Sequence, residues 1–186
     1  SITGQPNAMG GREVGSLAST LAVHMGFSDA ERDKARRFWK SPTICPGPGL
    51  KAVDMFNAVA DGLIKAIWVM ATNPAVSMPD AHVVRAALAA CPLVVVSDCI
   101  AETDTTAFAH VKLPALGWGE KDGTVTNSER VISRQRGFLA APGEAKPDWW
   151  IVAEVAKRMG WAEAFDFPTN ADVFREYAGQ TGFENG

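Results

Sequence analysis

Three short polar stretches hold the residue types that bind nucleotides: Thr72-Asn73-Pro74, Ser97-Asp98 and Glu120-Lys121-Asp122-Gly123. Asn offers both donor and acceptor groups. An ionised Asp accepts two hydrogen bonds, as from a ribose diol or a guanine edge, and Lys brings a mobile positive charge to a phosphate. Asn-Pro, Ser-Asp and Asp-Gly are also common turn formers, and each taken singly reads more readily as a turn. Asp148 opens a helical pattern, where the helix dipole favours any acid, so spacing alone weighs a capping and a binding role equally. Arg12 follows Gly10-Gly11 at an expected helix start, where a cation opposes the dipole. It reads by default as a solvated surface group, with an anion contact as the alternative and Glu13 as its local charge balance. Trp149 and Trp150 read as core. His24, His82 and His110 are scattered and assigned no chemistry, and Arg130, Arg134 and Arg136 read as a solvated strand face.

The elements that must position these residues follow an α/β rhythm. Residues 1–10 are expected to be a loop, followed by a helix from near Arg12 with Val14, Leu17, Ala18, Leu21 and Met25 on one face and Gly26 as its stop. Ser28 caps a charged helix over 29–39, and the Pro/Gly-rich 41–49 is a connector. A helix over 50–60 precedes a buried strand over 64–70. Asp80 caps a helix carrying Val83, Val84, Ala87 and Leu88, and a second buried strand runs over 93–96. The two strands start about 29 residues apart, the spacing of one βαβ unit. A short helix over 103–109 leads to a third strand over 110–113. Residues 131–139 read either as an edge strand or as irregular. Helices follow over 148–159, stopped by Gly160, and over 170–177. Ligands of an open parallel sheet bind at the carboxyl ends of its strands, so the topology brings the three polar loops to one rim. No G-x-G-x-x-G turn follows the first strand, which disfavours a standard nicotinamide site.

The 186 residues, 47% hydrophobic and 21% charged, suit a single globular α/β domain over 1–186. A net charge of −3 argues against binding driven by nucleic-acid phosphates. Cys45, Cys91 and Cys99 have no C-x-x-C spacing and read as small apolar core or loop residues, with no metal role. No apolar run reaches the length of a membrane span, and no signal peptide is visible. The chain opens in the middle of a motif and is expected to be part of something longer.

Five motifs in register carry a resemblance that covers essentially the whole chain. They are Gly4-Gln5-Pro6-Asn7-Ala8-Met9-Gly10-Gly11-Arg12-Glu13-Val14-Gly15, Ala71-Thr72-Asn73-Pro74, Val95-Val96-Ser97-Asp98-Cys99, the run from Gly117 through Gly119-Glu120-Lys121-Asp122-Gly123 to Arg130, and Pro142-Gly143-Glu144-Ala145-Lys146-Pro147-Asp148-Trp149-Trp150. In order and spacing they resemble the bacterial nitrate reductases of the dimethyl-sulfoxide-reductase family, most of all the assimilatory, cytoplasmic type. Formate dehydrogenases share the Gly-Glu-Lys-Asp-Gly segment but typically carry Gly-Gln-Asn-Asn where this chain has Gly4-Gln5-Pro6-Asn7. Val131 stands where relatives usually have a second Arg, which puts a phosphate role for that position in doubt.

The resemblance implies a Rossmann-like parallel sheet with flanking helices within a larger multidomain molybdoenzyme fold. It implies a bis-molybdopterin guanine dinucleotide cofactor carrying molybdenum, with Asn73, Ser97, Asp98, Lys121 and Asp148 on positions that contact it. It sets Arg12 near a substrate funnel, where it would orient nitrate. It also implies an iron–sulfur cluster and the molybdenum ligand upstream, a further cofactor-binding domain downstream, and inactivity of residues 1–186 alone. The expected partners are the remainder of the parent chain, nitrate and an electron-donor protein or domain, with no nucleic acid and no membrane. Two alternatives stay open: a piece of a formate dehydrogenase or another molybdopterin oxidoreductase, and a stand-alone, non-catalytic nucleotide-binding α/β module. Flanking coding sequence separates them, since upstream cysteines and a β-rich downstream domain belong only to the enzymes.

Overall fold

The computed structural model describes residues 7–185. In chain order the helices are α1 (Ala8–Glu13), α2 (Asp29–Trp39), α3 (Ala52–Ala60), α4 (Pro74–Ser77), α5 (Ala81–Ala90), α6 (Asp148–Ala156) and α7 (Asn170–Gly182). The strands are β1 (Ala66–Met70), β2 (Leu93–Asp98), β3 (Val111–Pro114), β4 (Gly123–Thr126) and β5 (Ile132–Gln135). No helix among the described residues is long and apolar enough to cross a membrane. The chain forms two compact units. One comprises residues 50–121 and 138–152; the other comprises the described residues of 1–49, 122–137 and 153–186.

The first of these is an α/β unit around a parallel sheet in the order β1-β2-β3. Ala66 pairs with Leu93 and Met70 with Ser97, while Val95 pairs with Val111 and Asp98 with Pro114. Side chains alternate across a strand, so Ile67 and Val69 of β1 and Val94 and Val96 of β2 point to one face. There they pack with Phe56 and Val59 of α3 and Val84, Ala87 and Leu88 of α5, all nearly inaccessible. Burying a side chain of this size contributes roughly 1.5–3 kcal/mol, which makes this cluster the main source of the unit's stability. On the other face, Trp68 and Val95 stay half-buried, so these strands alternate and are not the fully buried runs expected from their composition. The expected short helix over 103–109 is a single 3₁₀ turn, Thr106–Phe108. Asp80 stands before α5 as expected, but its backbone is left-handed and its side chain makes no capping bond.

The second unit contains α1, α2, α7 and the antiparallel hairpin of β4 and β5. Ser28 and Glu31 close the capping box that starts α2, each side chain satisfying an amide the helix leaves open. Its apolar cluster is small, with Ala22, Val23, Met25 and Ala35 buried. The expected helix from Arg12 to Met25 does not form. Residues 8–13 are helical instead, and Gly15 then takes φ 86. A Cβ at Gly15 would lie 2.9 Å from Ala22 Cα, so only glycine permits this return of the chain. Ser16 Oγ donates to the Gly11 carbonyl and Thr20 Oγ1 to the Gly15 carbonyl, taking acceptors that a continuing helix would need. The expected loop over 1–10 gives way to α1 from residue 8; its residues 1–6 lie outside the described residues. Of the ambiguous 131–139 stretch, residues 132–135 are β5, an unexpected hairpin partner of β4.

Candidate functional site

The carboxyl edge of the parallel sheet is built by three exits. Leaving β1, Ala71 adopts φ 52 and its amide donates to the Ser97 carbonyl, 2.9 Å away, which turns the chain toward Asn73. The Asn73 carbonyl accepts from the amides of Val76 and Ser77, and Pro74 takes the first position of α4, where its missing N–H costs nothing. At the end of β2, the Asp98 carboxylate accepts from the Ile100 amide at 2.9 Å, closing a local turn. Its carbonyl accepts from Ala115, which holds the exits of β2 and β3 together.

Beyond β3, residues 145–147 run back beside 114–116. Lys146 donates its amide to the Pro114 carbonyl and accepts from Leu116, and Ala115 and Lys146 form a parallel bridge. This brings Asp148, the first residue of α6, to Lys121. Their side chains form an ion pair of 2.8 Å, with both about 30% exposed. Lys146 also lies over the Trp150 ring, 5.7 Å from its centroid. An open depression of about 320 Å³ lies at this edge, lined among others by Asp98, Cys99, Thr106, Lys112, Pro114 and Pro142. That is near the lower end of the roughly 300–1,000 Å³ of ligand pockets, room for one end of a large cofactor.

The expected site residues are therefore distributed as follows. Asn73, Asp98, Lys121 and Asp148 belong to the carboxyl-edge exits of one unit, with Lys121 and Asp148 in direct contact. Ser97 is fully buried in β2, where its Oγ accepts from Trp68 Nε1 at 2.8 Å. Arg12 belongs to the other unit and sits in the last turn of α1. There the dipole favours a cation, so the electrostatic oddity expected from the sequence is absent. Glu13, expected as its local charge balance, has further partners of its own. It is 8% exposed and takes a two-pronged ion pair from Arg130, with Nε at 2.7 Å and Nη2 at 2.9 Å, and a 2.7 Å contact from His24 Nε2. The Arg130 hydrogen bond, with His24 charge adding to it, holds the Glu13 carboxyl below the usual glutamate range against the opposing effect of burial. Arg130 is thus a pairing residue of the hairpin turn and not a merely solvated one. No sequence signal linked residues 117 positions apart.

Sequence reading also missed Thr105. It is fully buried and joins Asn73 to α4. Its only signal was a Thr-Thr pair in a loop, which composition does not distinguish from a turn.

Asp148 Oδ1 is shielded from water yet has no hydrogen-bond partner among the described residues. Such an acceptor is costly to leave alone and calls for a donor from outside this set. With its other oxygen on Lys121, Asp148 can still receive one hydrogen bond from a bound group. The donor set is oxygen- and nitrogen-rich and includes no group of three or more His, Cys, Asp or Glu that could hold a metal, among the described residues. It suits the organic part of a cofactor.

An α/β unit with polar residues on the carboxyl edge of a parallel sheet has the architecture in which open α/β sheets place their ligands. Residues 7–158 match the molybdopterin oxidoreductase family, and the chain belongs to that family. It is 56% identical over 185 residues to a nitrate reductase of Klebsiella oxytoca, with 100% of this chain and 21% of that protein covered. It is 39% identical over 177 residues to an F420-dependent formate dehydrogenase 1 subunit alpha of Methanococcus maripaludis, with 95% of this chain and 26% of that protein covered. Acetylene hydratase from Pelobacter acetylenicus shares the fold, with a TM-score of 0.62 and 24% identity over 73% of this chain and 19% of that one. The chain thus spans about a fifth to a quarter of the length of the relatives it matches.

Proposed function

We propose that residues 1–186 are a cofactor-binding segment of a longer molybdenum enzyme that reduces nitrate to nitrite, of the assimilatory, cytoplasmic kind. The observation that carries the binding role is the shielded, partnerless Oδ1 of Asp148 beside Lys121. The higher identity to a nitrate reductase than to a formate dehydrogenase supports nitrate over formate as the parent's substrate.

In this reading the cofactor is bis-molybdopterin guanine dinucleotide, and an iron–sulfur cluster and the electron donor lie outside these residues. When bound, the cofactor supplies the two-electron redox chemistry. Asp148 and Asp98 accept hydrogen bonds from its N–H or hydroxyl groups, and Lys121 balances the charge of Asp148 and can face a phosphate. Asn73 donates from its amide. Ser97 acts from beneath, fixing Trp68 and the turn into the Asn73 loop. Arg12 orients nitrate, a planar anion that a guanidinium meets with two parallel hydrogen bonds; this assignment rests on the motif around it.

The test is made in the full-length parent. Wild type is expected to contain molybdenum and to form nitrite from nitrate with a viologen reductant. Asp148→Ala is expected to lower molybdenum and guanine nucleotide per chain, losing a charge-assisted hydrogen bond of roughly 1.5–3 kcal/mol. Wild-type cofactor content in that variant would count against the site, and a parent without molybdenum would end the whole reading. Residues 1–186 alone are expected to form no nitrite.

A further inference from the structure

We infer that Thr105 is a positioning residue that makes Asn73 a hydrogen-bond donor only, so that the ligand group met by Asn73 is an acceptor oxygen. This rests on the cofactor-binding reading above and adds the chemical sense of one contact.

Three hydrogen bonds set this polarity by their direction. The Ala75 amide donates to Thr105 Oγ1 at 3.2 Å. A backbone N–H can only donate, so the Thr105 oxygen is the acceptor there and its own proton must go elsewhere. The acceptor within reach is the Asn73 side-chain oxygen, 2.6 Å away. The Thr105 amide, again only a donor, reaches the same Asn73 oxygen at 3.2 Å. Two backbone N–H groups therefore fix the polarity of the whole chain of bonds. Turning the Asn73 amide over would set its NH₂ against the Thr105 N–H. It would also leave the Thr105 hydroxyl without an acceptor in a place sealed from water, since Thr105 and Ala75 are both 0% exposed.

With Oδ1 held inward, Asn73 has only Nδ2 left to offer. Nδ2 has no hydrogen-bond partner among the described residues, and Asn73 is only half-buried at the β1 exit. An Asn whose orientation were open could meet either a donor or an acceptor. This one meets a phosphate or ring-carbonyl oxygen and rejects an amino group or ring N–H. The fixed amide also needs no reorganisation when the ligand arrives.

The experiment uses the full-length parent loaded with cofactor, reading molybdenum and pterin per chain and the half-life of molybdenum retention after dilution. In Asn73→Asp the side chain still accepts both Thr105 bonds but can no longer donate, so retention is expected to shorten about tenfold while the fold is kept. Asn73→Ala separates the sources of the oxygen. A phosphate makes Asn73→Asp clearly worse than Asn73→Ala through charge repulsion, whereas a carbonyl leaves the two alike. Thr105→Ser, which keeps hydroxyl and amide, is expected to retain cofactor like wild type. Thr105→Val is expected to lose it faster at unchanged circular dichroism. Wild-type retention in Asn73→Asp overturns the donor assignment even if Thr105→Val fails to fold. Wild-type retention in a folded Thr105→Val overturns the positioning role. A wild-type parent lacking molybdenum would instead fault the cofactor reading itself.

Discussion

The two units hold their shapes by different means. In the sheet unit, eleven buried residues from three helices, two strands and one connection form one apolar cluster, whereas the described residues of the other unit gather four. Charge is distributed the opposite way. Ten of the twelve ion pairs among the described residues lie within the hairpin unit, and two, Arg85–Asp104 and Lys121–Asp148, lie within the sheet unit. Apolar burial carries no charge to titrate or to screen, while paired carboxylates respond to pH and are weakened by ionic screening. One chain thus contains a part ordered by water's exclusion and a part whose order depends on solution conditions.

The sharpest break of that contrast is made in the sheet unit. Leu88→Ala removes a side chain with 0% exposure from the centre of its cluster, at an expected cost of about 2–5 kcal/mol. Denaturant unfolding measures it, and a loss below about 1 kcal/mol would mean that the cluster is not the main support.

Acid acts next, on the other unit. The carboxyls of Glu13, Glu31, Asp33, Glu154, Asp172 and Glu184 are all held below their ordinary values, and all belong to the hairpin unit. For Glu13, Asp33, Glu154 and Glu184 the leading cause is a hydrogen bond from an Arg. For Glu31 it is the Gly26 amide, and for Asp172 the Thr169 hydroxyl. A carboxyl with a lowered folded-state value stabilises fully above its unfolded value, 4.5 for Glu and 3.8 for Asp. That stability is lost as pH falls through the folded value. Amides of α2 and α7 are therefore expected to lose hydrogen-exchange protection between about pH 4.5 and lower values, before those of β1 and β2. Simultaneous loss in both units would dissolve the contrast.

Smaller effects sharpen it further. Glu13→Gln keeps the shape but halves the fork to Arg130. It is expected to cost about 1 kcal/mol, because Arg130 and His24 are more than half exposed and partly screened by water. A melting curve at low and high salt checks this, the difference from wild type shrinking with salt. Smallest is Arg158→Ala, which removes an exposed pair with Glu154 one helical turn away. No measurable change in melting temperature is expected, and a clear fall would show that surface pairs in this unit act as a network.

The same contrast explains what could be read in advance. α2 was legible to the residue because Ser28 and Glu31 state its start locally. β1 and β2 were legible because Ile67, Val69, Val94 and Val96 lie in short β-branched runs at the separation of one crossover. The Arg12–Met25 helix was misread because its apolar spacing is helical while Gly15, Ser16 and Thr20 redirect the backbone. The hairpin of β4 and β5 is only half legible, since residues 131–139 read either as an edge strand or as irregular until Ile132 is known to lie opposite Thr126. Among the site residues, the chemical types were visible but their commitments were not. Nothing local reveals that Asn73 spends its oxygen on Thr105, that Ser97 is sealed beneath Trp68, or that Glu13 answers Arg130. Such pairings join residues tens of positions apart, and a pattern of types does not encode them.

The return of residues 145–147 beside 114–116 has a consequence besides bringing Asp148 to Lys121. β3 ends the sheet order on one side, and an uncovered last strand is a template on which other chains can add. Lys146 takes up the Pro114 carbonyl and the Leu116 amide at that border, and Pro142 and Pro147 bracket the returning segment with residues that cannot donate. The same short stretch that delivers an acid to the rim therefore also occupies the C-terminal end of the sheet border, so loosening it would release Asp148 from Lys121 and bare the Pro114 carbonyl and Leu116 amide together.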